Sequence, residues 1–140
     1  MSEKEHPARV ASKRSMSCAE RKAKEEWLSL FADDATIEDP VGRSPLDKEG
    51  KGHRGKAAIS AFYDRHIAVS GRRFEITDSF ACGREVANVG KIHIVFPDGK
   101  EALCEGVFVC KVNEEGKIVA LRNYWEWDRM MRTMPKSPSG

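Results

Sequence analysis

The sequence predicts an α+β domain in which helices cover one face of a curved, mostly antiparallel sheet. Three observations carry that prediction. Residues 8–31 contain neither Gly nor Pro among strong helix formers. Residues 55–70 place Ile59, Phe62, Tyr63, His66 and Ile67 on one helical stripe. Beyond residue 73, strand-like runs alternate with turn signals. Helices first and a sheet afterwards, joined by a short early strand, is the order of an α+β fold rather than of βαβ units.

Taken in order, residues 8–31 read as one or two helices with Val10, Met16, Trp27, Leu28, Leu30 and Phe31 as apolar anchors. Asp33 and Asp34 interrupt that pattern. Ala35 to Asp39 then reads as a short strand stopped by Pro40, which also biases Asp39 toward extended backbone. From Val41 to Arg54 the composition turns to Gly, Pro, Ser and charge, as in a long surface loop of the kind that closes over pockets. Gly55 to Ser70 is the next helix. Arg73–Phe80, Glu85–Phe96, Glu101–Val112 and Lys117–Trp127 read as strands of a meander, with Pro97–Lys100 and Asn113–Gly116 as hairpin turns. Alternation fails at Val107, Phe108, Val109 and Cys110, so both faces of that strand need cover, the outer one from a second copy of the chain. The expected organisation is a disordered 1–7, one domain over 8–131 and a flexible tail over 132–140.

With 140 residues, 40% hydrophobic and 33% charged, the chain has room for one core and one ligand cavity. A Rossmann module plus a substrate domain needs more chain. No run of about 18 apolar residues exists and the first 24 residues lack the apolar stretch of a secretory signal, so the expectation is a cytoplasmic protein. Residues 1–24 hold seven Lys and Arg against three Glu, leaving 17 basic and 19 acidic residues over 25–140. That basic excess comes with no recognition motif, which argues against nucleic-acid binding.

Cys18, Cys82, Cys104 and Cys110 form no C-x-x-C pair, His93 has no second ligand at metal spacing, and Cys104 and Cys110 stand too far apart along a strand to chelate; no metal is expected. Gly50–Lys56 fails the phosphate-loop pattern, because Lys56 is followed by Ala57 and preceded by a polar loop. His66, on an apolar helical face, reads as a packed, hydrogen-bonded core histidine.

The stretch Leu30-Phe31-Ala32-Asp33-Asp34-Ala35-Thr36-Ile37-Glu38-Asp39-Pro40-Val41-Gly42 resembles the base-bearing segment of bacterial ketosteroid isomerases. The likeness continues through Gly55–Tyr63, similar to that family's third helix, and ends at Asn123-Tyr124-Trp125. It implies the nuclear transport factor 2-like (SnoaL-like) cone, with three helices from the N-terminal half on a strongly curved sheet around a deep apolar pocket. It also implies a homodimer. By matching position, the general base that carries a proton from C4 to C6 of a 5-ene-3-ketosteroid falls on Asp39, and the reaction needs no cofactor.

The chain departs from the family pattern at the oxyanion donors. The position of the family tyrosine, 24 residues before the base, is Ser15, and the position of its protonated Asp is Phe108. Tyr63, Tyr124 and the indole of Trp125 remain as potential donors. Glu105 has the opposite strand parity from Phe108, whereas Asp78 shares a phase with Phe74, Ile76 and Phe80.

The expected site is therefore Asp39 as catalytic base, with Met16, Phe62, Tyr63, Phe80, Phe108 and Trp125 against an apolar, steroid-like ligand. A steroid Δ-isomerase-like enzyme is the first functional reading. A non-catalytic steroid or hydrophobic small-molecule binder is the second, motivated by Phe108. A third is epoxide hydrolase or cyclase chemistry on the same fold, against which stands the placement of a single Asp in the pocket.

Overall fold

In the computed structural model, which describes residues 5–134, the first helix α1 (Pro7–Arg21) begins where Pro is best tolerated, at the first helical position. The His6 side chain accepts the Ala8 N–H at 3.1 Å, and Lys22 in the left-handed conformation (φ 60°) closes the other end. Residues 5–7 are thus partly ordered by a helix cap, while the remainder of the disordered 1–7 expectation and positions 135–140 of the expected tail lie outside the described residues. The buried face of α1 consists of Ala8, Ala11, Ser12, Ser15, Cys18 and Ala19, and Val10 is exposed. Small side chains at helical spacing let the helix lie close on the sheet.

Helix α2 (Lys24–Ser29) buries Trp27 against Phe31, ring centroids 4.7 Å apart. Strand β1 (Phe31–Glu38) starts earlier than the sequence predicts, because Asp33 and Asp34 sit at its exposed edge rather than in a turn. In the long loop, a two-residue strand β2 (His53–Arg54) pairs antiparallel with β1. Helix α3 (Lys56–Phe62) runs into a π-helical turn (Tyr63–Ile67). Strands β3 (Gly71–Cys82), β4 (Glu85–Val95), β5 (Glu101–Val112) and β6 (Ile118–Tyr124) form the predicted meander. The expected strand to Trp127 stops at Tyr124, and a short helix α4 (Trp127–Met131) follows.

The six strands run in the order β2-β1-β6-β5-β4-β3, all antiparallel neighbours except β1 and β6. Gly90 and Gly106 are partners across β4 and β5. A Cβ on Gly90 would lie 2.2 Å from the Glu75 carbonyl oxygen, and one on Gly106 would lie 2.1 Å from that of Tyr124. Only glycine permits these approaches, so the sheet creases along this pair. A bulge in β3 between Ile76 and Asp78 adjoins the crease and re-phases the strand: Phe74 and Ile76 face inward, Asp78 and Phe80 outward.

One apolar cluster lies between the three helices and the near part of the sheet, around Trp27, Phe31, Ile37, Ile59 and Ile118. A second fills the far part under α4, around Ile92, Cys104, Phe108 and Met130. The outer face of β4–β6 carries Ala87, Val89, Val107, Val109 and Tyr124, so within the chain only the Phe108 and Cys110 side of β5 is covered, and Val107 and Val109 lie on the open outer face. No helix among the described residues is long and apolar enough to cross a membrane.

Candidate functional site

Asp39 follows β1 directly, ahead of Pro40, to which it is joined by a cis peptide bond. Its carboxylate sits at the waist of an elongated, two-lobed cleft inside the cone. The inner lobe, about 50 Å³, lies under α1 and is lined by Ser15, Met16, Trp27, Phe108, Leu121 and Asn123 among others. The outer lobe, about 170 Å³, opens between the loop and α4 and is lined by Leu46, His66, Phe96, Cys104, Trp125 and Met130 among others. Asp39, Phe62, Arg72 and Ile92 border both lobes. Among the described residues Asp39 is the one carboxylate in this lining.

The indole N–H of Trp125 donates to Asp39 Oδ1 at 2.6 Å. A short bond from a neutral donor to a carboxylate fixes the carboxylate's orientation. It also commits the indole, so the expectation that Trp125 polarises a substrate carbonyl is replaced by an anchoring role on Asp39. Ring centroids of Trp125 and Trp127 are 6.2 Å apart, which braces the indole from the outer side.

The remaining sequence candidates divide cleanly. Met16, Phe62 and Phe108 line the inner lobe, and Trp125 the outer. Tyr63 does not line the cleft: one residue on from Phe62, it turns about 100° around the helix and packs on Trp27 at 5.3 Å, with the Lys24 ammonium 5.8 Å from its ring. Phe80 is 58% exposed on the outer face, because the bulge reverses its phase, and Asp78 shares its fate. Tyr124 also faces outward under the Arg122 guanidinium, 5.6 Å away. Glu105 is exposed beside Arg129 at 3.5 Å, as its parity predicts.

His66 is not the hydrogen-bonded core residue expected. Its ring lines the outer lobe and lies 5.0 Å from Phe62, which is itself 5.0 Å from His53. Burial lowers the pKa of both histidines; Asp39 opposes the shift at each, joined by Asp47 at His53, while Arg65 adds to it. Burial raises the Cys104 thiol, with Asp39 adding to the shift, so it is inert at neutral pH.

Sequence reasoning misses Arg72. It points inward at the start of β3, two residues before Phe74, and a positive charge in phase with Phe74 and Ile76 is the signal that would have found it. One guanidinium nitrogen donates to the His66 carbonyl at 2.8 Å and to Ser70 Oγ at 3.3 Å. Burial draws its pKa down, and the nearby Asp39 charge opposes that shift. Deeper in the cone, buried Asn88 donates to Ser12 Oγ at 2.9 Å, a polar pair likewise invisible to apolar periodicity.

The SnoaL-like domain family matches residues 13–121. The Δ5-3-ketosteroid isomerase of Mycobacterium sp. superposes with a TM-score of 0.84 at 36% identity, over 93% of this chain and 98% of that one. The Mycobacterium tuberculosis protein RV0760c, solved in complex with estradiol-17β-hemisuccinate, gives 0.85 at 36% identity over 94% of this chain and 100% of that one. A computationally designed 17-OHP binder gives 0.85 at 35% identity over 94% and 98%. A single inward Asp beside a proline, set in an apolar cone over a creased sheet, is thus accompanied by likeness along nearly the whole chain. The protein belongs to the SnoaL-like family and is a ketosteroid isomerase-like member of the nuclear transport factor 2-like superfamily.

Proposed function

We propose that the protein is a steroid Δ-isomerase-type enzyme acting on a ketosteroid or similar apolar enone, with Asp39 as the base. The observation that carries this reading is Asp39 itself, the single carboxylate bordering both lobes of an apolar cleft and oriented by Trp125 at 2.6 Å. In the proposed step, Asp39 removes the C4 proton of a 5-ene-3-ketosteroid while the C–H electrons pass into the C3 carbonyl as a dienolate. Asp39 then returns the proton at C6, leaving the conjugated 4-ene. One positioned carboxylate serves both ends of the transfer, and every atom and charge is recovered without a cofactor. The steroid-bound state of RV0760c and the 17-OHP binder support an apolar ligand of this class.

The test follows conversion of 5-androstene-3,17-dione by the rise in conjugated-enone absorbance, with wild type and Asp39→Asn side by side. Turnover in the wild type that disappears in Asp39→Asn is expected. Turnover that persists unchanged in the variant would refute the assignment. Phe108, apolar where the family carries a donor, favours one second reading, a steroid-binding protein without isomerase activity. Saturable steroid binding with no turnover in the wild type would establish that reading instead.

A homodimer through the outer face of the sheet belongs to the same proposal. Val89, Val107 and Tyr124 lie side by side there, next to Ala87 and Val109, with Phe80 at their edge. Contiguous apolar area of this kind on a sheet is the usual signature of a partner surface.

A further inference from the structure

Arg72 is an expensive residue to place in an apolar cleft, because a buried guanidinium is stable only when its donors are matched. Two of its contacts are structural, the His66 carbonyl and Ser70 Oγ, and they tie β3 to the end of the α3 segment. Its Nε–H is buried and has no hydrogen-bond partner among the described residues. A buried donor left unmatched is destabilising. The Nε atom itself is enclosed, but the Arg72 side chain borders both lobes of the cleft, as Asp39 does.

We propose that Arg72 is the oxyanion-binding group of this cleft, presenting the side of its guanidinium that borders the cleft to a ligand oxygen that carries or develops negative charge. The inference rests on the proton-transfer reading above and identifies the electrophilic partner which that reading lacks. Charge conservation favours it. Before proton abstraction the negative charge resides on Asp39; afterwards Asp39 is neutral and the charge resides on the dienolate oxygen. A guanidinium on the same cleft border as Asp39 is compensated in both states, with its Nη2 already tethered to the His66 carbonyl and Ser70 Oγ. Ser15 and Phe108, which occupy the family's donor positions, need not supply it. The charged and titratable groups facing this space are Asp39, Arg65, His66, Arg72, Cys104 and Cys110, with His53 behind Phe62.

The probe is 2-naphthol, an apolar phenol whose naphtholate mimics the dienolate and whose ionisation is read from its absorbance, independently of any turnover. Wild type is expected to bind the naphtholate about 100-fold more tightly than neutral naphthol, lowering the bound phenol's ionisation midpoint by about 2 pH units. Arg72→Met is expected to abolish the shift. Arg72→Lys, which keeps the charge but lacks the planar fork of donors, should retain only part of it, and Asp39→Asn should enlarge it by removing a like charge. Because Arg72 also ties β3 to the helix, circular dichroism confirms folding first, and Arg72→Gln replaces Arg72→Met if the latter is unfolded. A bound naphthol that stays neutral in the wild type, a shift that survives in Arg72→Gln, or no binding by wild type would each overturn the proposal. Loss of steroid turnover in Asp39→Asn without a naphtholate shift would leave the base assignment standing and remove Arg72. A naphtholate shift without steroid turnover would do the reverse.

Discussion

Gly106→Ala should damage the site without touching it. The new Cβ would sit 2.1 Å from the Tyr124 carbonyl oxygen and 3.1 Å from the Trp125 Cβ. Contacts below 3.0 Å are essentially never seen, so β5 and β6 must part by roughly 1 Å at this point. These neighbours are backbone and a Cβ, which cannot swing aside as a flexible side chain can. Overpacking of this kind costs about 1–3 kcal/mol, equivalent to roughly 3–9 °C in Tm for a chain of this size. The same displacement carries Trp125 with it, and a 2.6 Å hydrogen bond to Asp39 stretched by about 1 Å is no longer a hydrogen bond. Misplacement on that scale commonly costs about 100-fold in rate. Thermal unfolding and steroid turnover are measured together, with Gly71→Ala as the control, since a Cβ there meets only Val95 at an ordinary 3.6 Å. Gly106→Ala with the Tm and turnover of Gly71→Ala would refute the argument that this glycine creases the sheet and positions Trp125.

Val107→Lys places a charge at the centre of the outer apolar face, beside Val89 and Tyr124, and should convert a dimer into a monomer in sedimentation velocity; a wild-type monomer would count against the interface. His53 and His66 have folded pKa values below the ordinary 6.5, so both are neutral in either state at high pH. As pH falls below 6.5 the unfolded chain takes up protons the folded chain resists, and stability drops until the lowered folded values are reached. The fall in Tm from pH 7 to 5.5 should be shallower in a His53→Gln/His66→Gln variant, and equal slopes would contradict this. Cys82 is exposed, whereas Cys18, Cys104 and Cys110 are buried and burial pushes the Cys110 thiol up to about 12. A thiol reagent should therefore titrate one cysteine rapidly in the native protein and all four only in denaturant.

The helical stripe of residues 59–67 was legible because large apolar side chains repeat at 3.6-residue spacing. Its division was not: Phe62 and His66 face the cleft while Tyr63 serves Trp27, a difference of one helical step that depends on where α2 lies. The inner face of α1 escaped apolar patterning because it is made of Ala, Ser and Cys, chosen for close approach rather than hydrophobicity. In β3 the alternation rule worked up to Ile76 and failed beyond it, since a bulge exchanges the two faces and nothing local in Thr77-Asp78-Ser79 announces one.

By itself the sequence determined the order of helices and strands, the meander and its turns, and Asp39 beside Pro40 at the end of an early strand. These follow from periodicity, turn chemistry and a contiguous motif, all properties of neighbouring residues. Tertiary structure alone decided that Trp125 would hold Asp39, that Phe80 and Tyr124 would face outward, and that Arg72 would stand across the waist of the cleft. Those outcomes depend on how a creased sheet brings residues 39, 72 and 125 into one space, and a distance between chain-distant side chains has no representation in local pattern.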